Sequence, residues 1–167
     1  MADIISKSDG EAQEIIALVE LLFFAYRDFI SDPDAILDEL NFGRAHHRVV
    51  HFIGRNPGMT VAQLLDILRI TKQSLGRVLR ELIEKGYVLQ REGDQDRRHR
   101  LLHLTAEGEK LRKRLMAPQI KRIRNALHES GSGSQRHYRD VLYHLISPEN
   151  RAAVSEWLGA HGDKEPV

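Results

Sequence analysis

The 167-residue chain has no cysteine. Disulfides, thiolate metal sites, cysteine nucleophiles and thiol-based redox sensing are therefore excluded together. No apolar run approaches the ~18 residues that cross a bilayer. The opening Met1-Ala2-Asp3-Ile4-Ile5-Ser6-Lys7 lacks the charged-then-apolar layout of a secretion signal, so the cytoplasm is the expected compartment. There is no internal repeat, and the one low-complexity stretch is Gly131-Ser132-Gly133-Ser134. Signatures of enzymes are missing too. No glycine-rich phosphate loop follows a strand, no serine elbow occurs, and no paired-carboxylate pocket can be read, so no catalytic residue and no cofactor is expected.

Basic residues are scarce in one region. Residues 1–40 hold only Lys7 and Arg27 against ten acidic groups, a local charge of −8, and the remaining chain carries 23 basic against 14 acidic groups, or +9. The whole-chain net charge of +1 conceals this split. One region is suited to face a polyanion and the other to face away from it. The hydrophobic share of 41% and charged share of 29% are those of a globular chain, and the length is that of one domain with dimerisation extensions.

The elements read as mainly helical. Residues 11–30 predict a helix whose apolar positions (Ile15, Leu18, Val19, Leu22, Tyr26 and Phe29, widened by Ile16, Leu21, Phe23 and Ile30) spread over more than one face, as in a central core helix or a subunit contact. Asp32 is placed to cap a short helix begun by Pro33. A further helix spans about 42–55 and ends at Asn56-Pro57-Gly58. Thr60-Val61-Ala62-Gln63 has the form of a capping box, Thr71 caps the helix after it, and Gly86 suits that helix's C-terminal stop. Residues 87–91 and 99–104 predict a two-stranded hairpin with a polar tip. Thr105 caps a long helix to about 128, which Pro118 is expected to kink or split. A last helix or pair covers 135–158, interrupted at Ser147-Pro148.

Two short helices, 60–68 and 72–85, joined by a few residues and followed at once by a hairpin, form a winged helix-turn-helix arrangement. The second helix places Leu75, Val78, Leu79, Leu82 and Ile83 on a buried stripe and turns Thr71, Lys72, Gln73, Ser74, Gly76, Arg77 and Arg80 outward. These are partners for base edges and phosphates in a major groove. Gly76 costs about 1 kcal/mol of helix stability relative to alanine, in exchange for close backbone approach to DNA. Glu81 and Glu84 fall on later turns, away from that contact end. At the hairpin tip, Arg97 and Arg98 suit a narrow minor groove, with Asp96 orienting the Arg98 fork.

Pro57-Gly58-Met59-Thr60-Val61-Ala62-Gln63-Leu64, Ile70-Thr71-Lys72-Gln73-Ser74-Leu75, Leu82-Ile83-Glu84-Lys85-Gly86-Tyr87-Val88, and Asp96-Arg97-Arg98 with Leu104-Thr105-Ala106-Glu107-Gly108 together resemble the multiple-antibiotic-resistance-regulator (MarR) family. The detailed match covers about 42–115. The resemblance implies an α+β, mainly helical fold in one 1–167 domain. Residues 42–105 form the DNA-binding region in this reading, and 11–40 and 106–158 form helices that intertwine in a homodimer. It also implies a palindromic double-stranded operator, repression of transcription, and release by a small phenolic or anionic effector. Carried over by position, 72–85 is the recognition helix, Arg98 the wing contact and Asp96 its orienting partner. The family's cavity lies between dimerisation helices and winged domain, where Phe24, Tyr26, Phe42 and His46 are the expected lining. The peroxide-sensing branch is excluded by the absent cysteine. Two alternatives stand beside this reading: a winged-helix protein-interaction module, and a metal-sensing regulator using His46, His47 and His51, of which His47 and His51 share a helical face.

Overall fold

A computed structural model describes residues 2–93 and 100–161. Helix α1 (Ala2–Ser31) begins earlier than the apolar pattern alone predicts and gives way to α2 (Asp34–Glu39) and α3 (Arg44–Arg55). A two-residue strand, β1 (Met59–Thr60), precedes α4 (Val61–Leu68) and α5 (Lys72–Glu84). The hairpin β2 (Val88–Glu92) and β3 (Arg100–Leu104) leads into α6 (Ala106–Glu129), α7 (Ser134–Leu145) and α8 (Pro148–His161). Among the described residues no helix is long and apolar enough to cross a membrane.

The local signals act through identifiable hydrogen bonds. Thr60 Oγ1 accepts from Gln63 N at 3.2 Å while Gln63 Oε1 accepts from Thr60 N at 2.8 Å, a complete capping box. Thr71 and Thr105 likewise accept from the backbone N–H groups of Ser74 and Gly108. At the end of α5, Gly86 takes φ +78°, and the N–H groups of Gly86 and Tyr87 bond back to Ile83 O and Leu82 O. This paired closure needs a left-handed residue, which glycine adopts without strain.

Three expectations are corrected. The sheet has three antiparallel strands in the order β1-β3-β2, because Met59 and Thr60 pair with Leu102 and Leu101 beside the expected hairpin. Pro118 does not split α6, which runs unbroken for 24 residues. Asp32 does not cap α2; its carboxylate accepts two bonds from Arg122, at 2.5 and 2.6 Å, and so ties the end of α1 to α6.

The core sits between α2, α3, α4, α5, the sheet and the first half of α6. Leu37, Val49, Ile53, Leu64, Leu75 and Leu82 are essentially sealed from solvent there. Burying an aliphatic side chain of this kind contributes about 1.5–3 kcal/mol. The far ends of α1 and α7 contribute little to this core: Leu18, Leu21, Phe23, Val141 and Leu145 are all exposed.

Candidate DNA-recognition face and effector cavity

The α4–α5 turn is set by Arg69, a non-glycine residue at φ +50° whose N–H closes onto Leu65 O at 2.8 Å. Arg69 also donates to Asn150 Oδ1 at 2.5 Å, so α8 touches the turn. Leu75, Val78, Leu79 and Leu82 pin one side of α5 into the core, whereas Ile83, expected on the same stripe, is exposed at the helix's last turn. The opposite side follows from helical phase. Thr71, Lys72, Gln73, Ser74, Gly76, Arg77 and Arg80 are all exposed, and Gln73, Ser74, Gly76, Arg77 and Arg80 line one shallow concavity. A Cβ added at Gly76 meets nothing within 4 Å, so the helix backbone is open to approach there. The Thr71 hydroxyl is engaged in the cap and donates to Ser74 Oγ at 2.8 Å.

Glu81 departs from its expected role as a bystander. Its Oε1 accepts from Arg77 Nε at 3.0 Å and its Oε2 lies 2.8 Å from His46 Nε2. The Arg77 bond first, and the His46 bond second, hold the Glu81 carboxyl below its ordinary range. No sequence signal places His46 here, since the contact spans 35 residues; the i, i+4 spacing of Arg77 and Glu81 was the legible half. Among the described residues Lys72 and Arg80 have no ion-pair partner, leaving their charges available. Asp96, Arg97 and Arg98 lie outside the described residues.

A cavity of about 290 Å³ opens between α1, α3 and α6, its walls carrying Tyr26, Phe29, Arg44, His47, Arg48 and His51. Of the expected lining only Tyr26 is present. Phe24 lies on the exposed side of α1 with the Arg27 guanidinium over its ring at 5.2 Å. Phe42 and His46 are buried away from the cavity, stacked at 4.3 Å with 12° between their planes. The missed lining comes from α1 (Phe29 and Ile30), α3 (Arg44, His47, Arg48 and His51) and α6 (Met116 and Gln119), and of these His47 and His51 were the available signal.

Arg44 is spoken for by Asp34, through Nη2–Oδ2 at 2.7 Å and Nε–Oδ1 at 3.2 Å. Arg48 is exposed and has no ion-pair partner among the described residues. Burial, and then the charge of Arg48, push the His47 imidazole down. Burial, and then Arg112, push His51 down to about 4. Both rings are neutral at pH 7, so Arg48 supplies the cavity's uncompensated charge. Among the described residues, His51 Nδ1 is buried without a hydrogen-bond partner. The three histidines do not converge on a metal: His46 faces Glu81, and among the described residues no group of three or more His, Asp or Glu side chains is arranged to hold an ion.

Residues 40–99 match the sequence profile of the MarR family. The chain is 48% identical over 133 residues, 80% of each protein, to the HTH-type transcriptional regulator PetP of Rhodobacter capsulatus. It is similar in fold to a MarR mutant from E. coli complexed with operator DNA, with a TM-score of 0.61, 21% identity, and coverage of 80% of this chain and 96% of that one. It is also similar to NadR in complex with 4-hydroxyphenylacetate, with a TM-score of 0.64, 24% identity, and coverage of 76% and 90%.

Proposed function

The chain belongs to the MarR family of DNA-binding transcriptional regulators and is not an enzyme; from that premise we propose that it is a homodimeric repressor. In this proposal it holds a palindromic operator and releases it when a small aromatic acid enters the α1–α3–α6 cavity. The observation that carries the reading is the exposed face of α5, where Lys72, Gln73, Arg77 and Arg80 gather opposite a sealed apolar side. An α-helix fits the major groove, and this side chain set matches base edges and phosphates. Residues 42–105 form the reading head, with Asp96, Arg97 and Arg98 proposed for the flanking minor groove.

Pairing is supported by the bare apolar surfaces of α1 and α7, within the proposed dimerisation segments 11–40 and 106–158. Contiguous exposed apolar surface is costly in water and marks a contact. A twofold copy covers it with the same residues, and also duplicates the short recognition helix so that two half-sites are read together.

The cavity supports this choice of effector class. About 290 Å³ sits at the low end of ligand sites, enough for a single substituted ring. Tyr26 and Phe29 offer aromatic walls, and Arg48 offers a charge for a carboxylate. The acid held by NadR is of this size and charge. The test is fluorescence anisotropy of a labelled operator with 4-hydroxyphenylacetate and related aryl acids titrated in. Release by at least one of them, lost in Arg48→Ala, supports the reading. Operator affinity indifferent to all of them contradicts the effector half while leaving the DNA-binding half to stand.

A further inference from the structure

We propose that Arg77 reads a guanine of the operator through its Nη1/Nη2 edge, and that Glu81 and His46 are positioning residues that aim this edge. The proposal rests on the DNA-binding reading above and adds the base read and the device that reads it.

The chain of contacts starts at a fixed point. Gly43 N–H donates to His46 Nδ1 at 3.0 Å. The neutral ring therefore carries its proton on Nε2, which donates to Glu81 Oε2 at 2.8 Å. The ring is only 8% exposed and stacked on Phe42, and Phe42 is itself covered by the Lys85 ammonium at 4.4 Å. Lys85 in turn donates to Leu40 O at 2.5 Å. An anchored imidazole thus holds a half-exposed carboxylate. The carboxylate's other oxygen, Oε1, holds Arg77 Nε, on a side chain that is 81% exposed.

Geometry decides what remains for DNA. A guanidinium presents five N–H donors in a planar fork. Glu81 occupies the Nε side, and among the described residues the outward pair at Nη1 and Nη2 has no partner. Guanine O6 and N7, side by side in the major groove, are the bidentate acceptor for such a pair. Charge argues in the same direction. A carboxylate beside Arg77 repels a backbone phosphate, whereas Lys72 and Arg80, without acidic partners among the described residues, suit phosphates. Holding Arg77 in one orientation also lowers the rotamer freedom lost on binding, and ties that orientation to α3.

The experiment selects bound sequences from a random duplex library with the full-length protein. It then measures affinity for duplexes differing at one base pair. The wild type should lose about ten- to a hundredfold when the guanine read by Arg77 is replaced. Arg77→Ala should flatten the preference at that position alone. Glu81→Ala should flatten most of it with an unchanged melting temperature, and Glu81→Gln, which keeps an acceptor for Nε, should restore most of it. His46→Phe should follow Glu81→Ala, and His46→Gln, which keeps a donor, should follow the wild type. Lys72→Ala and Arg80→Ala should weaken all sequences by the same factor. Uniform weakening in Arg77→Ala, or a wild-type preference profile in Glu81→Ala, overturns the proposal. A wild type that selects no sequence overturns the DNA-binding reading as well, so the two failures are distinguishable.

Discussion

Alanine at Gly108 tests the joint between wing and long helix. Gly108 lies in the first turn of α6, where its N–H is capped by Thr105. A Cβ built there stands 2.0 Å from Tyr87 O and 3.0 Å from Tyr87 C, both backbone atoms, and 3.3 Å from Leu104 Cβ. Carbon-to-carbonyl contacts settle at about 3.3 Å or more, so this strand entrance or the helix must retreat by about 1 Å. The same Tyr87 carbonyl accepts Thr105 N–H at 3.1 Å, and the shift breaks that bond. Alanine's helix propensity contributes about 1 kcal/mol in favour. Overpacking costs about 1–3 kcal/mol and the lost hydrogen bond about 1 kcal/mol. The net expectation is destabilisation by about 1–3 kcal/mol. Gly76→Ala is the matched control: its Cβ meets nothing within 4 Å, so it should stabilise by up to about 1 kcal/mol while weakening DNA binding. Urea unfolding at one fixed protein concentration measures both. A Gly108→Ala protein as stable as the wild type would refute the close-approach argument.

Other expectations are quicker to check. His51 is held down to about 4 in the folded chain and returns to about 6.5 on unfolding, so the unfolded chain binds its proton first. Stability should be unaffected above pH 6.5 and fall, by about 3 kcal/mol at most, as pH drops from 6.5 to 4; a His51→Phe variant with an equally steep loss excludes His51 as the cause. Phe23→Glu places a charge on the exposed apolar side of α1 and should shift sedimentation toward the monomer, and an unchanged mass argues against that face as the contact. Arg80→Ala should reduce the dependence of log affinity on log salt by about one phosphate's share, and an unaltered slope removes Arg80 from the phosphate contacts.

What the sequence made legible were local devices. Thr60, Thr71 and Thr105 each announce a helix start because a cap needs only residues three apart, and each makes the expected bond. The inward and outward sides of α5 follow from period alone. Long-range choices were not legible. Met59 and Thr60 become a strand only because β3 lies alongside, and two residues carry no periodicity. Pro118 sits within a continuous helix whose following turn is held by Arg122–Asp32 and by Gln119 Nε2 on Phe29 O at 3.1 Å, ties that cross 90 residues. His46 and His47 are neighbours in sequence but point about 100° apart on α3. One therefore meets α5 through Glu81, and the other lines the cavity.

The most direct measurement is the mass and salt dependence of the complex formed with a selected operator duplex. Two chains per duplex, with affinity falling steeply and linearly in log salt, is the result expected of a paired cationic reading head. One chain per duplex, or binding unaffected by salt, would contradict it.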